Sequence, residues 1–264
     1  MYYSRRKSHK SVLRLLPLFL LLFSCQSIKS NRTEMGIPPS MVYFSFDDGP
    51  DGMGDTTARL LDVLKKYQIK ALFCLLGENV EYYPELVKRI YDEGHYIANH
   101  GYSEKHAYKM NDDEFRDNLI RGGAAISSVL GFDMNPKLYR PHGGFNNSRQ
   151  EKICIDEGYT IVPVTVRVYD AVDAATKRKK IVKKTINLVE KRGGGLILLH
   201  DGRDSYARRE TKLERNPNGA FNRSWIPDAV EEIIIALLDK GFNLNSSNIL
   251  DLFALIEQVQ HNEN

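Results

Sequence analysis

Cysteine and tryptophan are scarce in this chain of 264 residues, which contains three cysteines and one tryptophan. Three cysteines cannot form the disulfide framework that supports small secreted domains. We expect Cys74, in the apolar stretch "ALFCLL", and Cys154 to be buried thiols that act as small hydrophobic side chains. The sequence also lacks internal repeats and low-complexity segments, which excludes solenoid and disordered architectures. The length and the 42% hydrophobic content fit one sizeable domain.

No apolar run is long enough to span a membrane. The longest, "LLPLFLLLFS", is too short to cross about 30 Å of hydrocarbon as a helix. It follows a basic segment, so residues 1–24 have the layout of an export signal that is removed. The stretch "LFSC" resembles the lipobox of bacterial lipoproteins, which predicts that Cys25 carries a lipid anchor, with ordinary cleavage nearby as the alternative. Residues 25–40 are then a polar tether.

Excess positive charge is also missing from the mature chain. Residues 1–24 contain five cations and no acid, so their removal changes the formal net charge from +3 to −2. A mature chain of this net charge lacks the overall basic character that nucleic-acid binding requires, and no nucleic-acid partner is expected. A local basic run, "TKRKKIVKK", occupies residues 176–184. Such a run is usually the exposed face of a helix, and a ligand-binding role is the alternative.

Short apolar runs alternate with helical periods after residue 40, which predicts an α/β protein. The stretches "VYFSF", "ALFCLLG", "HYIANH", "KLYRP", "TIVPVTV" and "GLILLHD" are predicted strands. Helices are predicted between them, including one that begins at Pro84 and one that Asn111 and Glu114 cap and that ends near Gly131. Strands separated by helices pair in parallel through right-handed crossovers. Six or seven such units favour closure toward a barrel over an open sheet.

Unusual polar residues follow several of these predicted strands. Asp47 and Asp48, His100, Arg140 and His200 all stand at carboxyl ends of strands. Each has a simple structural explanation, such as a turn, a helix cap or a buried histidine. In a parallel barrel, however, these ends converge on one face, where active sites form. We therefore expect these residues to share a site.

The same set contains what metal-assisted hydrolysis requires. A metal such as Zn²⁺ uses three protein ligands and one position for water, whose pKa it lowers from about 15.7 toward about 7. One Asp and His100 are available as ligands, and the other Asp can accept the proton of the water if Arg140 holds it ionised. His200 can then deliver a proton to the leaving group.

The motifs "SFDDGPDG", "NHGYSEKH", "YRPHGG", "VYDA" and "LILLHD", in this order, resemble those of polysaccharide deacetylases with a NodB-like domain, the family-4 carbohydrate esterases. The resemblance implies a distorted (β/α)7 barrel, with parallel strands and outer helices, over residues 41–264. It also implies a metal-dependent enzyme that removes acetyl groups from N-acetylated or, less often, O-acetylated polysaccharides. Carried over by position, Asp47 is the general base and His200 the general acid, Asp48 and His100 are metal ligands, and Arg140 tunes the base.

The second motif departs from the family pattern of His, three residues and His. Glu104 stands where the second histidine is expected, and a histidine follows only at position 106. We favour Glu104 as the third ligand, with His106 as the alternative and a site without metal as the third option. A carboxylate can bind zinc at about 2.0 to 2.2 Å. Zn²⁺ is the expected ion, although such ligands also accept Co²⁺ or Ni²⁺.

The third and fourth motifs also depart from the family pattern, in which Arg-Pro-Pro-Tyr-Gly is common. Gly143 stands at the tyrosine position and can still supply a backbone N–H to an oxyanion. His142, before it, has no assigned role. Asp170 is retained and is assigned to the substrate side of the site, whereas Ala171 replaces the usual tryptophan and removes an apolar wall beside the acetyl group.

A long connection, residues 202–225, follows the strand that carries His200. Its length exceeds that of most loops in compact domains. We expect it to be a wall of the substrate groove, with Tyr206 and Trp225 available for sugar stacking and its arginines for anionic glycans. A disordered insertion is the alternative.

Three function classes follow from these features. The first is a monomeric deacetylase, anchored by lipid in the bacterial cell envelope, that acts on an acetylated polysaccharide. The second is a carbohydrate-binding relative that lost its metal through Glu104. The third is a glycosidase that uses Asp47 and another carboxylate. Neighbouring residues on a strand point to opposite faces or stand at a bend, so Asp47 and Asp48 are poorly placed to flank one glycosidic bond.

Overall fold

A computed structural model describes residues 41–144, 147–204, 216 and 218–244 of the chain. The predicted export signal, the lipid anchor at Cys25, the tether and Tyr206 lie outside the described residues. Among the helices of the described part, none has the length and apolar content that crossing a bilayer requires.

Seven parallel strands form one curled sheet, which confirms the predicted α/β architecture with a distorted barrel. The strands are β1 (Val42–Gly49), β2 (Leu72–Leu75), β3 (Tyr96–Asn99), β4 (Lys137–Tyr139), β5 (Tyr159–Ile161), β6 (Val166–Arg167) and β7 (Gly195–His200). Their order in the sheet is β5-β4-β3-β2-β1-β7-β6. This is the order of a barrel whose strands follow one another around the circle and that is open between β5 and β6.

Helices connect the strands and cover the outside of the sheet. They are α1 (Thr56–Lys66), α2 (Gly77–Tyr82), α3 (Pro84–Asp92), α4 (Asp112–Leu130), α5 (Ser148–Asp156), α6 (Arg178–Arg192) and α7 (Ile226–Asp239). The predicted capping box of α4 is present, since the side chains of Asn111 and Glu114 each accept a hydrogen bond from the other residue's backbone N–H. The short helix α2 has no counterpart among the elements predicted from the sequence.

The predicted strand "TIVPVTV" is in fact two strands at opposite edges of the sheet. Tyr159–Ile161 pairs with β4, and Val166–Arg167 pairs with β7. Pro163, which has no N–H to donate, lies in the break between them. Since four residues connect the two edge strands, the edges lie close together and the sheet is curled almost into a closed barrel.

Side-chain alternation along the strands separates two layers of core. Val42, Phe44 and Phe46 of β1 belong to the large cluster that packs against α1 and α7. Tyr43 of β1 belongs to a second cluster, which fills the inside of the curl together with residues of β2, β3, β4 and β7. Cys74 is in this inner cluster, and both Cys74 and Cys154 are buried free thiols, as predicted.

Candidate active site

Four of the predicted site residues continue the inward-facing rows of the strands. Asp47 follows Tyr43 and Ser45, and His200 follows Leu196 and Leu198, at spacings of two residues. His100 and Arg140 extend β3 and β4 in the same way. Since a strand presents alternate residues to one face, these side chains meet at the open, carboxyl end of the curl.

Asp48 would face the helices if β1 stayed regular. The pairing of β1 with β2 shifts register between Asp47 and Gly49, and Asp48 has a left-handed backbone, with φ at 67°. This bulge turns its side chain toward the inside of the curl. One oxygen of each neighbouring aspartate consequently lies within 4 Å of the same atom, His100 Nε2, at 3.7 Å for Asp47 and 3.3 Å for Asp48.

A buried ion pair holds Asp47. Nη1 of Arg140 donates to Asp47 Oδ1 at 2.7 Å and to Ser45 Oγ at 2.8 Å, and Arg140 is 1% exposed. Burial alone would raise the pKa of Asp47, but Arg140, followed by His100, lowers it below its ordinary value. Asp47 is therefore an ionised carboxylate whose second oxygen, Oδ2, faces the cleft.

His200 is held by a second buried carboxylate. Its Nδ1 lies 2.9 Å from Asp170 Oδ1, and its backbone N–H donates to Asp170 Oδ2 at 3.0 Å. Burial alone would lower the pKa of His200, but Asp170 and, less strongly, Asp48 and Asp47 raise it to about 9. His200 is thus a protonated imidazole at neutral pH, with Nδ1 engaged and Nε2 left for the cleft.

Arg223 completes this arrangement and was not identified from the sequence. It is fully buried, and its Nη2 pairs with Asp170 Oδ2. The same guanidinium donates to the carbonyls of Asp170, Asp173 and His200. The structure therefore places Asp170 behind His200, fully buried between an imidazole and a guanidinium, and away from the substrate side assigned to it from sequence.

Asp48, His100 and His142 form the one cluster of potential metal ligands found among the described residues. One donor atom of each lies within 4.8 Å of the other two. Nε2 of His100 and Nε2 of His142 both lie 3.3 Å from Asp48 Oδ1, a buried oxygen without a hydrogen-bond partner. His100 Nδ1 donates to the carbonyl of Arg140 at 2.7 Å, so that Nε2 is the ring nitrogen directed at the cluster.

The third member of this cluster differs from the sequence prediction, which favoured Glu104 and kept His106 as the alternative. Glu104 lines the same cleft but is not in the cluster. The His106 ring instead stacks on the His142 ring, with centroids 5.0 Å apart and planes at 17°. The Tyr108 ring also stacks on His106, with centroids 5.2 Å apart. The available signal was His142 itself, an extra histidine directly after the Arg-Pro that follows β4.

Gly143 follows His142 with a left-handed backbone, φ 83°. A Cβ atom here would lie 2.5 Å from His106 Nδ1, so the packing of His106 requires glycine. The neighbouring cleft has a volume of about 510 Å³ and is lined on one side by Arg167, Tyr169, Ala171, Val172 and Arg203. Trp225 is not a wall of this cleft as predicted, because it is 4% exposed and packs in the core.

The chain is similar to known proteins in both sequence and fold. The sequence model of the family described as "Polysaccharide deacetylase" matches residues 36–162. A peptidoglycan-N-acetylglucosamine deacetylase of Bacillus cereus is 34% identical over 202 residues, which are 76% of this chain and 64% of the relative. A second one from the same organism is 32% identical over 164 residues, 61% of this chain and 73% of the relative. The chain thus spans about two thirds of the length of these relatives.

A solved structure has the same fold. It is the crystal structure of a peptidoglycan N-acetylglucosamine deacetylase in complex with 4-naphthalen-1-yl-N-oxidanyl-benzamide. The two chains are 33% identical and superpose with a TM-score of 0.60, over 77% of this chain and 84% of the other. The curled sheet of seven parallel strands is common to both.

Proposed function

This chain belongs to the polysaccharide deacetylase family, and from that membership we propose that it is a metal-dependent hydrolase that removes acetyl groups from a polysaccharide. The observation that carries the proposal is that the ligand cluster shares one cleft with two side chains whose pKa values are shifted in opposite directions. Asp48, His100 and His142 line this cleft together with Asp47, which Arg140 holds, and His200, which Asp170 holds. A cation site, a proton acceptor and a proton donor are thus in one cleft, the combination that hydrolysis of an amide requires.

The geometry of the cluster fits a tetrahedral metal site. Zinc ligands at about 2.0 to 2.2 Å from the ion are about 3.3 to 3.5 Å apart. The distances from His100 Nε2 and from His142 Nε2 to Asp48 Oδ1, which has no hydrogen-bond partner, are both 3.3 Å and have this value. We assign Asp48, His100 and His142 as the ligands of Zn²⁺, or of Co²⁺ or Ni²⁺, which the same donors accept. When bound, such an ion would polarise the acetyl carbonyl and acidify a water.

Asp47 is proposed as the general base. Arg140 occupies Oδ1 of Asp47, and Oδ2 is the oxygen on the side of His100. Because its pKa is below the ordinary value, Asp47 stays ionised and can take a proton from the attacking water. The role of Arg140 is to fix the direction of this carboxylate and to keep it charged.

His200 is proposed as the general acid. Asp170 holds Nδ1, so the proton for the leaving amine comes from Nε2. The backbone N–H of Gly143 is the proposed donor to the oxyanion, since the turn after β4 brings it to the same cleft. Loss of one such donor typically costs about 2.7 to 4 kcal/mol of transition-state stabilisation.

The substrate we propose is an N-acetylated polysaccharide of the bacterial cell envelope, with N-acetylglucosamine units as the target and O-acetyl groups as a second option. The names of the two Bacillus cereus relatives support this class. The export signal over residues 1–24 and the lipid anchor at Cys25 stay predictions from sequence, as does the monomeric state, and they agree with an envelope location.

Acetate release across a panel of acetylated glycans tests the function. We expect release from N-acetylated glycans that a chelator abolishes and that added Zn²⁺, Co²⁺ or Ni²⁺ restores. A protein that holds no metal and releases no acetate, yet binds the glycans, would instead be the carbohydrate-binding relative. Cleavage of the glycan chain without acetate would identify a glycosidase.

The metal content of three purified variants tests the ligand assignment. We expect His142→Ala to lose the metal, because a zinc site with two protein ligands is weak. Glu104→Gln and His106→Ala are the matched controls from the same cleft. Both should keep one metal ion per protein molecule. Loss of the ion in Glu104→Gln, with retention in His142→Ala, would restore the assignment made from sequence.

A further inference from the structure

A row of lysines lies at the start of α6. Lys177, Lys180 and Lys184 are three and four residues apart, a spacing that places them along one side of the helix. We name this row the basic stripe. Lys177 and Lys180 are exposed, whereas Lys184 is half-buried. Since α6 follows β6, its first turn lies at the carboxyl end of the sheet, where the active site is.

Tyr169 connects the basic stripe to the cleft. Lys184 Nζ donates to the carbonyl of Val168 at 2.7 Å and lies 5.1 Å from the centre of the Tyr169 ring. Tyr169 lines the cleft and is nevertheless 62% exposed, with a left-handed backbone at φ 63° that turns its ring outward. The basic stripe therefore contacts, through Lys184, an aromatic ring that lines the cleft.

The charges of this segment contradict the usual preference at a helix start. The first turn of α6 contains Arg178, Lys179 and Lys180 and no acid, although the helix dipole disfavours cations there by about 0.3 to 1 kcal/mol each. Arg178 is paired with Asp228 and Glu232. Among the described residues, Lys177 and Lys180 form no ion pair. Cations kept at a cost to stability and without an internal partner point to an external one.

The cleft wall beneath Tyr169 carries cations as well. Arg167 and Arg203 line it, and the Arg203 guanidinium donates to the carbonyl of Ala171 and stacks on Phe221 at 4.4 Å. The acids that line the cleft outside the catalytic pairs and the ligand cluster are Glu104 and Asp204. Along the chain from residue 171 to residue 189, Asp173 is the one acid. The side of the cleft that leads to the basic stripe is therefore positive.

We propose that this surface binds an anionic glycan, with the acetylated sugar in the cleft and a carboxylate or phosphate of a neighbouring sugar against the basic stripe. Tyr169 contributes a face for the sugar ring between the two. This inference rests on the proposed function, because it specifies the charge of the polysaccharide that the same site would bind. It assigns a ligand-binding role to the basic run "TKRKKIVKK", which would otherwise be only the exposed face of a helix.

Three matched oligosaccharides test the proposal with the full chain. They are N-acetylated chitooligosaccharide, the same chain with its C6 hydroxyls oxidised to carboxylates, and the same chain phosphorylated at C6. We expect kcat/KM and binding affinity to be about tenfold higher for at least one anionic form than for the neutral form at low salt, and this advantage to shrink as salt screens the charges. The carboxylate and phosphate arms identify which anion is recognised.

The double variant Lys177→Glu/Lys180→Glu tests the basic stripe itself. We expect it to lose the preference for the anionic oligosaccharide while it keeps wild-type kcat/KM on the neutral one. The matched control is Lys65→Glu/Lys88→Glu, which makes the same change of charge at exposed positions on α1 and α3. This control should keep the preference.

Two outcomes would overturn the inference. One is equal, salt-independent activity of the wild type on all three oligosaccharides, and the other is an unchanged preference in Lys177→Glu/Lys180→Glu. A wild type that releases acetate from none of them would instead overturn the proposed function. Because binding of the labelled oligosaccharides is measured separately from acetate release, the two failures can be distinguished.

Discussion

At the scale of single residues, the site separates two neighbouring carboxylates by their partners. Asp47 is paired with Arg140, a permanent cation, whereas Asp48 faces two imidazoles at 3.3 Å. Burial would raise the pKa of Asp48, but His142 and His100 keep it well below its ordinary value. Both aspartates are thus ionised. In the proposed mechanism, Asp47 accepts a proton from water and Asp48 is a metal ligand.

Substitution of Asp47 should distinguish the proposed general base from the proposed metal ligands, because it should lower activity without loss of the metal. We expect Asp47→Asn to lower acetate release by about 10² to 10⁴-fold, the usual contribution of a general base, while the metal content stays stoichiometric. Acetate release and metal content are measured on the same preparation. Asp48→Asn is the matched control and should lose the metal. If Asp47→Asn also loses it, the division of roles between the two acids is wrong.

Sequence reasoning located the strand-end residues because each continues the alternation of a recognisable strand. Asp47, His100, Arg140 and His200 needed only the rule that parallel strands end on one face. His142 was missed because its distance from Asp48 depends on the path of the loop after β4. No spacing in the sequence reports how a loop folds back, and Glu104 was favoured only by its register in a motif.

At the scale of elements, the connection after β7 contacts the residues that hold His200, the proposed general acid. Its described part returns through Arg223, which is fully buried and bridges Asp170 with the carbonyls of Asp173 and His200. Trp225 follows in the core at the start of α7. Whatever the rest of the connection does, this end is a structural support for His200. A buried arginine of this kind cannot be distinguished by sequence from the other arginines of the connection.

Substitution of Arg223 should therefore affect the turnover step. We expect Arg223→Met to lower kcat at least about tenfold with KM and metal content unchanged, because Asp170 loses the donor that orients it toward His200 Nδ1. Arg223→Lys should recover part of kcat, since an ammonium can still pair with Asp170. Arg178→Met, which removes a partly exposed arginine from α6, is the control and should have wild-type kcat. An Arg223→Met protein with full kcat would show that the arginine only supports folding.

The prediction of "TIVPVTV" as one strand was wrong for the same physical reason, since the structure divides it into β5 and β6. Apolar and β-branched residues predict extended structure, and both halves are extended. Which neighbour each half pairs with depends on the curl of the entire sheet. Pro163 was the one local sign of a break, and a proline is compatible with an edge strand as well as with a gap.

At the scale of the whole molecule, the curl explains why the parallel architecture was predictable and its closure was not. Alternation of strands and helices implies parallel pairing through crossovers, and the structure has this pairing throughout its seven strands. Closure depends on the distance between β5 and β6, which the short link of four residues keeps small. The buried inner cluster beneath the site follows from this closure, and it supports the charged residues at the rim.

Asp201 connects the site to the stability of the whole fold. It is fully buried directly after His200, and Thr57 Oγ1 donates to its Oδ2 at 2.6 Å. Burial, with a smaller contribution from Asp51, raises the pKa of Asp201 from 3.8 to about 7. The folded state therefore keeps this proton longer than the unfolded chain does. Its contribution to stability is complete below pH 3.8 and is lost as the pH rises through about 7.

We expect this loss to appear in global unfolding. The free energy of unfolding of the wild type, relative to Asp201→Asn, should fall by up to about 4 kcal/mol between pH 4 and pH 8, at about 1.4 kcal/mol for each unit of pKa. Urea unfolding of both proteins across this range measures the difference. The raised pKa of His200 acts in both proteins and cancels, and the lowered pKa values of Asp47 and Asp48 act below pH 4. A flat difference between the wild type and Asp201→Asn would mean that Asp201 is ionised throughout and that the buried end of β7 tolerates its charge.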